Sequence, residues 1–281
     1  MLDWWYRLVD LILPFQWTGH VFMKNALLAV LLVTPLFGML GTMVVSNRMA
    51  FFSDSLGHGA FTGIALGAML GGIKPVWGAT LFSVLFAVAI TIIKNKSKAS
   101  ADTVIGVFSS TAVALGLVIM SYGGSFSKFS FYLIGDLLSI APIEIVLLFF
   151  VLIAVVLLWV LIFNKVLMVS INQSLAASRG INTLFSEILF ASAMAAVVTI
   201  AIQWVGLLII NSLLVLPAAA ARNIAANVRQ YHLVSVFIAV ISGIFGLMLS
   251  YYLNTASGAT IVLVAAALFF LTFAVRRRVQ G

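Results

Sequence analysis

The 281-residue sequence contains no cysteine, and only 8% of its residues are charged. The absence of cysteine excludes disulfides, thiolate metal sites and cysteine nucleophiles. The scarcity of charge excludes an ordinary soluble domain, in which about 25% of residues are charged. What the sequence has instead is apolar: 64% of its residues are hydrophobic and its mean hydropathy is +1.24. This composition indicates a chain whose solvent is lipid.

The formal net charge of +8 does not indicate a nucleic-acid partner. The basic residues form short clusters between apolar runs and make no continuous basic face. The amino terminus does not have the order of a cleavable signal peptide, because Asp3 and Asp10 lie among its apolar residues. Its aromatic side chains predict that residues 1–20 form an amphipathic segment at the membrane interface, with a loosely ordered terminus as the alternative.

Apolar runs of bilayer length predict an all-α polytopic membrane protein with about nine spans, or eight if one is re-entrant. We treat residues 1–281 as a single transmembrane domain. The predicted spans are 26–45, 50–70, 75–93, 104–121, 143–163, 184–203, 206–226, 233–252 and 259–275. Residues 122–142 contain an apolar stretch, FYLIGDLLSI, that is too short to span the bilayer, and it predicts a short helix at or dipping into the outer surface. Residues 165–182 are predicted to form a segment on the inside.

The distribution of basic residues predicts an amino terminus outside and a carboxyl terminus inside. With nine alternating spans, eleven of the 15 basic residues fall inside and four fall outside. The inside set is Arg48, Lys94, Lys96, Lys98, Lys165, Arg179, Arg222, Arg229, Arg276, Arg277 and Arg278, and the outside set is Arg7, Lys24, Lys74 and Lys128. An even number of spans would leave the terminal arginines outside.

Asp54 is the one acidic residue placed in the interior of a predicted span, away from the span ends where Glu144 and Glu187 lie, and His58 follows it four residues later. Residues i and i+4 are neighbours on one helix face, so a carboxylate oxygen and an imidazole nitrogen can reach the same ion. This pair of ligands suits Zn²⁺ or Mn²⁺ better than Mg²⁺ or Ca²⁺. Thr62 continues the same face in this interpretation. The alternative is that Asp54 and His58 only hydrogen-bond each other.

Small and polar residues elsewhere in the spans suggest packing contacts and a pathway. A ladder of glycines, each four residues from the next, predicts close approach of another helix to the span that carries Asp54. Asn211 could face the pathway, although a hydrogen bond between helices is the favoured role, and Pro217 is expected to kink or break its helix. Asp136 could line an outer vestibule, with a solvated loop acid as the alternative. The glycines of the ladder are Gly59, Gly63, Gly67 and Gly71.

Several catalytic motifs are absent from the sequence. It has no G-x-x-x-x-G-K-[ST] phosphate loop, so any ATP hydrolysis must take place on a separate chain. It also lacks H-E-x-x-H and any credible Ser/His/Asp set, and the chain is therefore not expected to be an enzyme. A secondary transporter that uses Asp54 and His58 as an ion or proton relay remains an alternative.

Four stretches in the correct order resemble the permease subunits of bacterial zinc and manganese ABC importers. They are KNALLAVLLVTPLFGMLGTMVVSNRMAFFSDSLGHGAFTGIALG, FYLIGDLLSIAPIEI, SLAASRGIN and VGLLIINSLLVLPAAAARNIA. The resemblance covers nearly the whole chain. It implies a multi-pass protein of the bacterial cell membrane, with no permanently bound cofactor. It also implies a homodimer with a cytoplasmic ABC ATPase that binds ATP and an extracellular metal-binding protein.

The resemblance also implies roles for particular residues. Asp54 and His58 match the intramembrane metal ligands of the family. Manganese-type members tend to have proline at the position of Thr62, so its presence favours zinc over manganese or iron. The segment that couples the permease to the ATPase is implied to contain Ala176, Ala177, Arg179 and Gly180.

Overall fold

The computed structural model describes residues 2–70, 75–122, 132 and 135–280, and all regular structure within them is helical. Two short 3₁₀ helices, Gln16–Gly19 and Leu137–Ser139, accompany the α-helices. The α-helices are α1 (Asp3–Ile12), α2 (Val21–Ser46), α3 (Ala50–Leu70), α4 (Pro75–Lys96), α5 (Ala101–Tyr122), α6 (Pro142–Ile171), α7 (Gln173–Ser178), α8 (Thr183–Val205), α9 (Leu207–Ile224), α10 (Val228–Leu253) and α11 (Ser257–Gln280).

Seven helices in the described part of the chain are long and apolar enough to cross a membrane. They are α2, α4, α5, α6, α8, α10 and the Ser257–Arg276 part of α11. The prediction of an all-α polytopic membrane protein is therefore confirmed. Helices α3 and α9 fall outside this set, α3 because it carries Asp54, His58 and several glycines, and α9 because its apolar stretch is shorter.

Each predicted span overlaps one helix, and α3 coincides with the predicted 50–70. In the segment 122–142, residues 123–131, 133 and 134 lie outside the described residues, and the described part holds the 3₁₀ helix Leu137–Ser139. Helix α9 continues through Pro217, so the proline does not break the helix, and the alternative that it kinks the helix stays a prediction. His232 falls between the predicted spans 206–226 and 233–252, but it lies in the first turns of α10.

The chain divides into two compact units that each combine distant parts of the sequence. The first unit comprises Met1–Thr42, Gly135–Ala154 and Ser212–Gly281. Within it, α10 packs closely on α2, where the Ser235 hydroxyl donates to the Gly38 carbonyl at 2.7 Å.

The amino-terminal helix of this first unit is fixed to the start of α2 by polar contacts. The Lys24 ammonium lies 2.6 Å from the Asp10 carboxylate. The Trp5 indole donates to the Lys24 carbonyl at 2.9 Å, and the Tyr6 hydroxyl donates to Asn25 at 2.8 Å. These bonds satisfy the polar groups at the beginning of a long apolar helix.

The second unit comprises Met43–Ile134 and Val155–Asn211 and contains Asp54 and His58. Its centre is α3, which packs against α4, α5 and α8. Ala60, Phe61, Ile64 and Ala65 of α3 belong to a buried apolar cluster that also includes residues of α4, α5 and α8. Helix α3, which carries Asp54 and His58, is therefore enclosed by protein over most of its surface, which lowers the cost of placing it in a membrane.

A single residue, Gly206, connects α8 to α9 within this unit, with φ of 88° and ψ of 146°. Side chains rarely tolerate this conformation, which glycine adopts without steric cost. We expect Gly206→Ala to lower the free energy of unfolding by about 1–2 kcal/mol, measured by thermal unfolding in detergent. Gly19→Ala is the control, because a methyl group there meets no atom within 4 Å and the backbone has no positive φ. Equal stability of the two variants would contradict the prediction.

Candidate metal site on helix α3

Asp54 and His58 occupy the one uncovered stripe in the middle of α3. Every residue from 52 to 65 is buried except these two. The Asp54 side chain is 43% exposed and the His58 side chain is 27% exposed. The neighbouring helices therefore cover α3 on all sides except where its two ionisable groups lie.

The two side chains face each other. The distance between His58 Nε2 and Asp54 Oδ2 is 3.5 Å, longer than a good hydrogen bond. Two ligands on a tetrahedral zinc ion, with bonds of about 2.0–2.1 Å, are separated by about 3.3 Å. The pair can therefore accept one ion between its two atoms with little movement of either side chain.

Two protein ligands do not complete a coordination shell. Within the described residues there is no group of three or more His, Cys, Asp or Glu side chains arranged to hold a metal. A four-coordinate ion at Asp54 and His58 requires further ligands from water, backbone or another chain. A shell that is open in this way suits transient binding better than permanent storage of the ion.

Thr62 does not share the uncovered stripe with Asp54 and His58. Its side chain is fully buried, and its hydroxyl lies within hydrogen-bond distance of the Ala112 carbonyl on α5 and of the His58 carbonyl. Each step of four residues turns about 40° around an α-helix, so two such steps carry Thr62 about 80° from Asp54. The structure therefore brings Asp54 and His58 together and places Thr62 at a helix contact.

Asn211 lies in the first turns of α9 and contacts Ser53, the residue before Asp54. The Ser53 hydroxyl donates to Asn211 Oδ1, and it also lies 2.7 Å from the Ala50 carbonyl of its own helix. Asn211 thus makes the expected hydrogen bond between helices. Sequence reasoning missed Ser53, because a serine inside a helix commonly bonds only its own backbone.

We expect the Ser53–Asn211 contact to contribute a measurable coupling energy. A double-mutant cycle with Ser53→Ala and Asn211→Ala is predicted to give about 0.6 kcal/mol, the average for hydrogen bonds between membrane helices. Ser53→Ala combined with Thr111→Ala is the control, because the Thr111 hydroxyl donates within its own helix to the Val107 carbonyl. A coupling energy no larger than that of the control would show that the contact does not hold α3 to α9.

Three of the ladder glycines allow α4 to approach α3 closely. A Cβ on Gly63 would lie 2.6 Å from the Ala79 Cα, and one on Gly67 would lie 3.3 Å from the Pro75 Cα. A Cβ on Gly59 would meet the Phe86 ring at 2.8 Å. Gly71 lies outside the described residues. The backbone that carries Asp54 and His58 is therefore in direct contact with the backbone of α4.

The residues singled out as the coupling segment lie in and after the short helix α7. Asn172 caps its first turn by accepting from the Leu175 amide at 3.0 Å. At the other end, Gly180 has φ of 75°, and the Ile181 amide donates to the Ala176 carbonyl at 3.1 Å, as in a Schellman motif. Ala176 is fully buried, whereas Ala177, Arg179 and Gly180 are exposed. Helix α7 is thus capped at both ends, and most of its residues are exposed.

Asp136 lies in the first unit, at the start of the 3₁₀ helix Leu137–Ser139. Its side chain is exposed and accepts from the Leu138 amide at 3.2 Å. This is the geometry of a residue that caps a turn at the surface.

Comparison with known proteins identifies the family to which this chain is similar. Residues 19–276 match the ABC 3 transport family. The chain is 28% identical to the manganese transport system membrane protein MntC of Listeria monocytogenes, over 90% of each chain. It is 30% identical to the high-affinity zinc uptake system membrane protein ZnuB of Buchnera aphidicola, over 87% of this chain and 94% of the relative.

A solved structure agrees with these sequence relatives. PsaBC from Streptococcus pneumoniae in complex with Fab superposes with a TM-score of 0.79 and 28% identity, over 97% of this chain and 95% of that one. A match over most of the chain, a common fold and an order of motifs predicted from the residues therefore point to one family. The chain is a multi-pass cell membrane protein that belongs to the ABC 3 transport family, among the membrane permeases of manganese and zinc ABC importers.

Proposed function

We propose that this chain is the membrane-spanning subunit of an ATP-driven importer of a divalent transition metal, which passes the Asp54–His58 pair as it crosses. The observation that carries the proposal is the 3.5 Å approach of a carboxylate and an imidazole on the one uncovered stripe of an otherwise buried helix. Ionisable groups inside a membrane are costly and typically mark ion pathways.

Nine spans, with the amino terminus outside and the carboxyl terminus inside, fit this function. Among the residues that the structure describes, seven helices meet the length and apolarity of a span. We add α3, with 21 residues, and α9, with 18, which at 1.5 Å per residue are about 31 Å and 27 Å long and so match a hydrocarbon core of about 30 Å. Most of α3 is covered by protein, and between residues 52 and 65 only Asp54 and His58 are uncovered. This topology places eleven basic residues inside and α7 on the same side.

The complete importer would contain further subunits besides this chain. The chain has no phosphate-binding loop, so a cytoplasmic ATPase supplies the energy and docks on the exposed residues of the 165–182 segment, chiefly Ala177, Arg179 and Gly180. Two copies of the chain form a homodimer whose symmetry brings a second Asp54–His58 pair to the pathway. An extracellular metal-binding protein delivers the ion from outside.

We favour zinc as the transported ion, with manganese and then iron as the next candidates. The relatives with comparable identity include a manganese transport protein and a zinc uptake protein, so they support both ions. The imidazole and carboxylate are 3.5 Å apart, close to the separation of about 3.3 Å between two ligands in the small tetrahedral shell of zinc. Manganese prefers a shell with more oxygen ligands.

The proposal is tested by reconstituting the chain with its ATPase in proteoliposomes and measuring uptake from a panel of Zn²⁺, Mn²⁺ and Fe²⁺. We expect uptake that requires ATP and is fastest for Zn²⁺. A secondary transporter would instead transport without the ATPase and respond to an imposed proton or sodium gradient. Uptake that is driven by such a gradient and is indifferent to ATP would overturn the proposal.

A further inference from the structure

A network of charged and amide side chains joins the ends of three helices in the second unit. The Lys94 ammonium at the end of α4 lies 2.9 Å from Glu187 Oε2 in α8, and both side chains are more than 80% buried. The Asn95 amide donates to the same carboxylate oxygen at 2.8 Å, and the Gln173 amide of α7 lies 3.4 Å from Asn95 Oδ1. We call Lys94, Asn95, Gln173 and Glu187 the α4–α8 network.

This network borders both the proposed coupling segment and the helix that carries the metal ligands. Gln173 is the first residue of α7, and Glu187 follows the Gly180 turn by seven residues. Lys94 and Glu187 also line a cavity of about 170 Å³ with Asn47 and Met49 in the turn that leads into α3. From the network, α4 runs directly to the glycine contacts on α3.

We propose that the α4–α8 network is a positioning element that transmits displacement of α7 to α4, and through the glycine contacts to Asp54 and His58. The proposal rests on the proposed function, and it adds Lys94, Asn95 and Glu187, which lie outside both the Asp54–His58 pair and the 165–182 segment. The physical reason is stiffness: an ion pair shielded from water resists separation, so α4 and α8 move together at this point. The tight packing at Gly63 and Gly67 then makes α3 follow α4, because at these two positions the α3 backbone meets backbone atoms of α4 directly.

The free-energy cost of separating the Lys94–Glu187 ion pair allows the role of the network to be tested by mutation. Removing one partner leaves the other charge buried without compensation, whereas exchanging the two charges preserves the attraction. A network that transmits motion predicts loss of coupling in the single variants and recovery in the exchanged pair. A network that only stabilises the fold predicts no change in the ratio of ions transported to ATP hydrolysed by the molecules that remain folded.

The experiment uses the permease–ATPase complex in proteoliposomes and measures Zn²⁺ uptake, ATP hydrolysis and Zn²⁺ affinity together. The variants are Lys94→Gln, Glu187→Gln and the exchange Lys94→Glu with Glu187→Lys. Asn95→Ala is the milder variant, because it leaves the ion pair intact and tests the network even if the charge variants fail to assemble. Lys96→Gln is the matched control, since Lys96 lies in the same turn and is exposed.

We expect the number of ions transported per ATP to fall about 2- to 30-fold in the single variants, to recover in the exchange variant and to remain unchanged in the control. The affinity for Zn²⁺ should stay at the wild-type value throughout. A wild-type ratio of ions transported to ATP hydrolysed in Glu187→Gln would overturn the role proposed for the network. If that variant does not assemble, the same result in Asn95→Ala would overturn it. In either case, ATP-driven Zn²⁺ uptake by the wild-type complex would leave the proposed function intact. Failure of the wild-type complex to transport Zn²⁺ with ATP would instead overturn the proposed function itself.

Discussion

Asp54→Ala is expected to abolish metal uptake while the protein still inserts and assembles with its ATPase. Asp54 is one of the two proposed ligands on the uncovered stripe, and we expect that its partner His58 does not hold a divalent ion alone. Loss of an outer-shell partner already lowers metal affinity about 10- to 100-fold, so loss of a direct ligand should exceed 100-fold. His58→Ala should have an effect of the same order for the same reason.

The measurement is the initial rate of Zn²⁺ uptake into proteoliposomes, together with Zn²⁺ affinity by titration calorimetry. Asp102→Ala and His20→Ala are the controls, since they remove the same side-chain types from the exposed start of α5 and from the residue before α2. Both controls should keep wild-type uptake. Normal uptake in Asp54→Ala and His58→Ala would remove this pair from the pathway.

Gly63→Ala is expected to be strongly destabilising despite adding a single methyl group. That methyl would lie 2.6 Å from the Ala79 Cα and 3.1 Å from the Ala79 carbonyl oxygen, and backbone atoms cannot rotate away. Overpacking of this kind costs about 3 kcal/mol when helices must separate to relieve it. The separation would also shift Asp54 and His58, so metal affinity should fall along with stability.

The test is thermal unfolding of the purified variant in detergent, with Zn²⁺ affinity measured below the transition. Gly106→Ala is the matched control, because it lies in α5 and a methyl group there meets no atom within 4 Å. We expect the control to unfold at the wild-type temperature or slightly above, since alanine favours helix more than glycine does. If Gly63→Ala had the same unfolding temperature and Zn²⁺ affinity as Gly106→Ala, the glycine contacts between α3 and α4 would not be needed to hold α3 in place.

The sequence predicted α3 closely because its boundaries are local. The turn before it contains Asn47 and Arg48, and the Arg48 backbone takes a positive φ of 54° that ends α2. Helix α2 begins five residues before the predicted span 26–45 and therefore includes the polar residues Lys24 and Asn25. Asp10 and Tyr6 satisfy them, and these contacts span 14 and 19 residues of sequence.

The site itself was predictable only in part, and the reason is again the distance between partners. The contact between Asp54 and His58 could be predicted, because residues four positions apart are neighbours on one helix face. The Ser53–Asn211 contact joins residues 158 positions apart, and no periodic pattern indicates it. Thr62 was grouped with the ligands because four-residue spacing was extended over two steps, although the accumulated rotation moves it to the α5 contact.

The most direct test of the central claim is X-ray absorption at the zinc edge on the purified protein with one equivalent of Zn²⁺. The account predicts imidazole scattering from a ligand at about 2.0–2.1 Å. This signal should be lost in His58→Ala and retained in His20→Ala and His232→Ala, which remove the other two histidines of the chain. Imidazole scattering that persists in His58→Ala would place the zinc ion elsewhere and contradict the account.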